Sequence, residues 1–291
     1  MWIWLVLLYG VLKGAREICK KKALLTCSSI EVLLIYTILA FLMVCPDIGN
    51  VWGMAPKMYF FVALKSFVIF IAWICSFKAI KGMPISLYGV LDLSRVLFTT
   101  LLGITVLGER MGVLKMVGLI LVCAGLLMLK LIPAALEKNN KSVEKEAVSF
   151  GIVVIALISC MLNSVSALFD KVLTGYISSS QLQFWYMLFL CIYYIIYAIV
   201  DRSQIDIKKA VKNKWIWLLA LMFIIADRAL FVANSMQESQ MTVMTLLKQA
   251  GCIVTILAGR YIFKEKNTGY KLLCAAVVIF GIILSSISTI G

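Results

Sequence analysis

The chain has 291 residues, 63% hydrophobic and 14% charged, with no histidine and a formal net charge of +14. A soluble domain carries about a quarter charged residues, so this composition, with a mean hydropathy of +1.02, belongs in a bilayer. The missing histidine excludes zinc-hydrolase motifs and Ser-His-Asp chemistry. Basic residues gather in short links between apolar runs, as topology signals do, so no nucleic-acid partner is expected.

Ten apolar segments follow one another at 2–21, 30–45, 58–78, 85–107, 112–132, 149–170, 180–200, 215–236, 240–262 and 268–289. Each approaches the roughly 20 residues that cross a hydrocarbon core as helix. Continuous apolarity over that length is unlike the alternating stretches of about ten residues in a membrane barrel. The fold class expected is therefore an all-α integral membrane protein with ten transmembrane helices. The start lacks a basic leader, and lysines stand where small cleavage residues would, so the first segment is expected to remain in place. The nine cysteines are scattered and form no CxxC pair, which reads as small reduced hydrophobes.

Charges inside these segments are costly, about 2.5–3.5 kcal/mol each at mid-helix on insertion scales. In the first segment, Lys13 lies about 16 Å from Trp2 at 1.5 Å per residue, near the midplane. Lys13 and Glu17 are i,i+4 neighbours, and Lys13, Arg16 and Lys20 share a face. Trp2 to Leu12 alone is too short to span, so the helix must run through these charges, with Lys20, Lys21 and Lys22 anchoring the far interface. The third segment carries Lys65, with Trp73 and Ser76 further along. In the fourth, Tyr88, Asp92, Arg95 and Thr99 recur at i, i+4, i+7 and i+11, a polar stripe on an apolar helix; Asp92 with Arg95 also suits a purely structural pair. Asn163 is a weaker candidate in the sixth segment, and Asp170 and Lys171 fall at its interfacial end. The eighth holds Asp227 and Asn234 on one face, with Arg228 about 100° away. The ninth holds Lys248 and Gln249.

A register shift of 156 superposes the fourth and fifth segments on the ninth and tenth. Leu91 meets Leu247, Thr99 meets Thr255, Gly103 meets Gly259, Glu109 meets Glu265, Lys115 meets Lys271 and Gly125 meets Gly281. Five helices per half is an odd number, so the halves must be oppositely oriented, which makes an inverted repeat with its site at the interface. The expected domains are 1–134 (helices 1–5), a linker at 135–148 and 149–291 (helices 6–10). The same shift lays Lys248 on Asp92, and the two are expected to pair across the central axis, directly or through substrate.

"VLGERMGVLKMVGLILVCAGLLML" (106–129) resembles the close of an EamA repeat of the drug/metabolite transporter superfamily. "IFKEKNTGYKLLCAAVVIFGIILS" (262–285) resembles a second copy. That resemblance implies a ten-helix secondary transporter of the cell membrane, a cavity lined by helices 1, 3, 4, 6, 8 and 9, and cytosolic termini. The positive-inside count instead puts both termini outside, and the sequence leaves that conflict open.

The candidate substrate-binding residues are Lys13, Arg16, Glu17, Lys65, Tyr88, Asp92, Arg95, Asp227, Asn234, Lys248 and Gln249. Positive groups outnumber negative ones among the lining candidates. A low-dielectric cavity amplifies that excess, which favours an anionic or zwitterionic solute such as an amino acid or organic acid. No nucleotide-binding loop and no metal cluster is present, so no cofactor, no catalysis and no self-powered pumping is expected. Gradient-driven transport, exchange or facilitated diffusion by alternating access remains, with Asp92, Asp227 and Glu17 as candidate proton carriers. The alternatives are a flippase for lipid-linked carriers and a cation or multidrug exporter. A monomer suffices for this reading, and the oligomeric state stays open.

Overall fold

A computed structural model describes residues 2–107, 112–139, 148–201, 205–235, 248–265 and 268–287. The elements are α1 (Trp2–Leu24), α2 (Ser29–Val44), a 3-10 turn (Cys45–Asn50), α3 (Pro56–Gly82), α4 (Ile85–Asp92), α5 (Arg95–Leu107) and α6 (Val113–Asn139). They continue with α7 (Phe150–Leu173), α8 (Ser179–Val200), α9 (Ile207–Lys212), α10 (Lys214–Ser235), α11 (Ala250–Tyr261) and α12 (Thr268–Ile287). Among the described residues every regular element is helical.

Among the described residues, four stretches are long and apolar enough to cross a membrane: Pro56–Gly82, Ile85–Val106, Phe150–Asp170 and Ser179–Val200. Shorter apolar helices are Ser29–Val44, Met116–Met128, Gly251–Tyr261 and Thr268–Leu284. Helix α1 has the length, 23 residues, but its charges break the apolar run. Its hydrophobic side is completed by partners instead.

Local chemistry sets the helix starts. Ser28 accepts from the Glu31 amide while Glu31 reaches back to the Ser28 amide, a full capping box. Ser178 and Gln181 repeat the same device before α8. Each box satisfies two amide donors that a helix start would leave orphaned. Glu31 also accepts from the Asp206 amide at 3.0 Å, which ties the α8–α10 connection to the start of α2.

The helix expected over 85–107 is broken. The backbone turns at Leu93 and Ser94, where hydrogen bonds shorten to i→i−3, Leu93 N to Val90 O and Ser94 N to Leu91 O. Helix α7 adds hydrogen bonds beside the turn: Cys160 Sγ donates to Leu91 O, and Ser164 Oγ to Arg95 O at 3.1 Å. A non-helical turn at membrane depth persists only where neighbouring groups satisfy it.

The packing pairs helices crosswise. Helix α1 lies on α10, α3 on α7 and α8, α2 on α8 and α10, α4 on α11, α5 on α7, and α6 on α12. Glycines permit the closest approaches. A Cβ on Gly125 would lie 2.6 Å from Val278 Cγ2, and one on Gly281 2.6 Å from Gly118 O, so α6 and α12 meet through matched glycines. A Cβ on Gly14 would fall 2.6 Å from both Gly251 O and Val254 Cβ. Gly14→Ala is therefore expected to force α1 off α11, destabilising the protein by about 1–3 kcal/mol. A melting temperature within one degree of wild type would refute that tight contact.

The link between α3 and α4 is clasped from both sides. Lys21 Nζ donates to Ile80 O and Met83 O at 2.6 Å each, and to Lys81 O at 3.4 Å. Glu265 accepts from Ile85 N at 2.6 Å, Ser86 N at 3.2 Å and Ser86 Oγ. A cation thus sits on the carbonyl end of α3 and an anion on the amide end of α4, the signs that helix dipoles favour. Glu265 itself stands in the link between α11 and α12; Glu109, its match in the register shift, lies outside the described residues.

Candidate functional site

The polar groups gather where α1, α4 and α11 approach. Lys13, Glu17, Tyr88, Asp92, Leu93, Gln249, Cys252 and Thr255, with neighbouring glycines, line a small cleft that is partly open. It is narrow, with room at any one point for water-sized molecules only. Its three walls are helices that meet through glycine, so backbone as well as side chain bounds the space.

Asp92 is the hub. Its Oδ2 lies 2.8 Å from Lys13 Nζ and its Oδ1 2.8 Å from Arg95 Nε. Oδ1 and Nε face one another without hydrogen-bond alignment, so that contact is chiefly Coulombic. Arg95 reaches Asp92 as its i,i+3 neighbour at the start of α5, while Lys13 comes from α1. In an unbroken helix Arg95 and Thr99 would continue one stripe. Here Thr99 is exposed, away from the cleft, and the stripe ends at Arg95. Tyr88 is buried with its hydroxyl 2.7 Å from Ser76 Oγ of α3.

Arg16 turns away from Lys13 and Glu17. Its guanidinium lies 3.6 Å from Asp227 Oδ1 of α10 and 5.2 Å from the Phe223 ring centroid. Trp73 joins that aromatic wall, with ring centroids 5.9 Å from Phe223 and 5.4 Å from Tyr36. Glu17 pairs with Lys20 at 2.7 Å. Lys65, only 4% exposed, meets Asp170 at 2.8 Å and stands 3.8 Å over the Tyr186 ring. Asp170, expected as an interfacial residue, is half open to the surface (43% exposed side chain) and is also the counter-ion of Lys65.

Two expectations are corrected. Lys20 and Lys21 do not simply anchor the far interface: one neutralises Glu17 and the other caps α3. In a low-dielectric surround, an acid or a row of helix-end carbonyls draws an ammonium inward. Asp92 and Lys248 do not pair directly, because Lys13 and Arg95 already occupy both oxygens of Asp92. Lys248 Nζ lies 5.9 Å from the Tyr9 ring centroid instead. Gln249 lines the cleft, Asn163 donates to Ser159 O of its own helix at 2.7 Å, and the side chain of Asn234 lies outside the described residues.

Lys20, Asp170, Lys21 and Glu265 were missed as partners. The capping-box repeat, Ser28-x-x-Glu31 against Ser178-x-x-Gln181, was a usable signal: it lays Lys20 on Asp170 and so flags both as end-of-helix charges.

With the fold and cleft described, comparison with known proteins adds one decisive match. The model of the EamA-like transporter family matches residues 1–131 and 150–287. The chain belongs to the EamA-like transporter family. This EamA chain also superposes on a protein of known crystal structure with a TM-score of 0.66, over 99% of this chain and 96% of the other. At 13% identity that likeness shows a shared fold alone. A search of curated proteins found no match. As an EamA protein the chain is a multi-pass membrane transporter of the drug/metabolite type, with a small solute as its cargo and the bilayer as its surroundings.

Proposed function

We propose that this protein is a ten-span secondary transporter of two inverted five-helix repeats, 1–134 and 149–291, joined by the linker 135–148. It moves a small anionic or zwitterionic metabolite across the plasma membrane by alternating access at a midplane cleft. The observation that carries this reading is the broken α4–α5 helix, with its Lys13–Asp92–Arg95 cluster set against helices of both halves. Discontinuous helices that expose charge at mid-depth are the hallmark of transporter sites. The crosswise packing supports the repeat: exchanging each helix for its counterpart turns α1·α10 into α7·α3 and α3·α8 into α10·α2.

The charges support the substrate class. Within the bundle the cationic groups Lys13, Arg16, Lys20, Lys65, Arg95 and Lys248 outnumber the acids Glu17, Asp92, Asp170 and Asp227, although of these only Lys13, Glu17 and Asp92 line the cleft itself. An acidic solute completes that balance, and Lys and Arg are its natural holders. The test is counterflow into proteoliposomes loaded with unlabelled amino acids, organic acids, phosphorylated metabolites or quaternary amines. Labelled acids or amino acids are expected to accumulate transiently and quaternary amines are not. Counterflow of quaternary amines alone would overturn the substrate class.

A further inference from the structure

The short helix α9 (Ile207–Lys212) lies in the link between α8 and α10 and takes no part in the cleft. It is held at both ends: the Asp206 amide donates to Glu31 Oε1 at 3.0 Å, and Asn213 Nδ2 to Thr26 Oγ1 at 2.9 Å. It packs on α2 and α10, with Ala210 fully buried. At about 100° per residue the other side chains sort into two edges. Ile207 and Val211 form one, 53% and 41% exposed, and Lys208 and Lys212 form the next, both exposed. Trp217 of α10 extends the apolar edge: its Nε1 donates to Val211 O at 2.7 Å, yet the residue stays 45% exposed. Lys209 and Lys214 are exposed as well, and none of these lysines forms an ion pair among the described residues. The adjoining acid, Asp206, is engaged in accepting from the Lys209 amide at 2.9 Å.

We propose that α9 and the first turn of α10 bind anionic phospholipid. The lysines hold headgroup phosphates, while Ile207, Val211 and Trp217 enter the border of the acyl chains. A helix with an apolar edge, a basic edge and a tryptophan beside it is shaped to lie in the plane of a membrane surface. The position fits, because α9 follows the end of α8, which is long and apolar enough to span. Charge selects the lipid: residues 201–214 carry five basic side chains against two acidic ones. Anionic headgroups answer that surplus and zwitterionic ones do not. A soluble phosphate or an acidic peptide would meet the lysines but leave the three apolar side chains in water, an exposure that acyl chains relieve. This binding is independent of which solute the cleft carries.

The experiment is native mass spectrometry of the purified full-length protein from detergent micelles holding equimolar dioleoyl-phosphatidylglycerol and dioleoyl-phosphatidylcholine. The wild type is expected to retain phosphatidylglycerol about tenfold or more over phosphatidylcholine. Lys208→Gln, Lys209→Gln, Lys212→Gln and Lys214→Gln together are expected to remove most of that preference, and the same four changes to Arg to keep it. Trp217→Ala leaves every lysine in place and is expected to weaken phosphatidylglycerol retention too, which a purely Coulombic patch would not show. Equal retention of the two lipids by the wild type, or full preference in the glutamine variant, overturns the site. Retention that ignores Trp217→Ala, or that glycerol phosphate or poly-L-glutamate displaces, marks a soluble anion or an acidic peptide as the occupant and overturns the lipid assignment. Should the fourfold variant fail to fold, Lys208→Gln with Lys212→Gln decides in its place.

Discussion

Asp92→Asn is expected to abolish transport and to destabilise the purified protein by about 3–5 kcal/mol, the usual result of stranding a buried charge. Here one carboxylate serves two cations, Lys13 and Arg95, each at 2.8 Å. Asparagine keeps the shape and removes the charge, so both cations lose their counter-ion in a low-dielectric setting. The source of the loss can be separated by adding Lys13→Met. That change removes one stranded cation and should restore part of the melting temperature without restoring transport. The two readouts are thermal unfolding in detergent and flux in proteoliposomes. If the double variant unfolds at the temperature expected from simple addition of the single losses, Lys13 and Asp92 are not energetically coupled and the hub assignment fails.

The second large effect is expected at Glu265. Alanine there leaves Ile85 N, Ser86 N and Ser86 Oγ without their acceptor. It also removes the carboxylate 3.8 Å from Lys271, an ammonium-bearing side chain with no exposure at all. Orphaned buried donors cost about 1–3 kcal/mol each, so Glu265→Ala should lower the yield of monodisperse protein more than any single replacement on the outer face of α12. Lys271→Met provides the contrast, because it leaves the three donors from Ile85 and Ser86 satisfied. It is expected to be clearly milder. A Lys271→Met variant as damaged as Glu265→Ala would mean that the ion pair, not the cap on α4, is what matters.

Much of this was legible in the sequence because membrane insertion makes every polar residue conspicuous. Asp92, Arg95, Lys13 and Glu17 stand out from an apolar background, and the structure brings Lys13, Glu17 and Asp92 to one cleft with Arg95 bound to Asp92. What periodicity could not give was their pairing. A helical wheel assumes an unbroken helix, so it ran one stripe from Tyr88 to Thr99 across a tightened turn at Leu93 and Ser94. A register shift identifies equivalent positions but not distances, and so it joined Asp92 to Lys248 while Lys13 was the nearer cation. Lys21 looked like an interfacial lysine because nothing local distinguishes an ammonium facing water from one facing carbonyls about sixty residues away, whereas Lys20 had its acid, Glu17, three residues away.

The partners of α1 also govern the order in which the chain becomes a membrane protein. Its charges meet Asp92 on α4 and Asp227 on α10, residues the ribosome makes long after α1 has emerged. At about 2.5–3.5 kcal/mol for each unpaired charge, α1 alone is a poor guest for lipid. Its settled position has to wait for α4, and for Arg16 until α10 has been made. A helix made before both its partners is thus among the last to be finished, and a nascent chain released after α5 would have Asp92 to pair with Lys13 while leaving Arg16 without its acid.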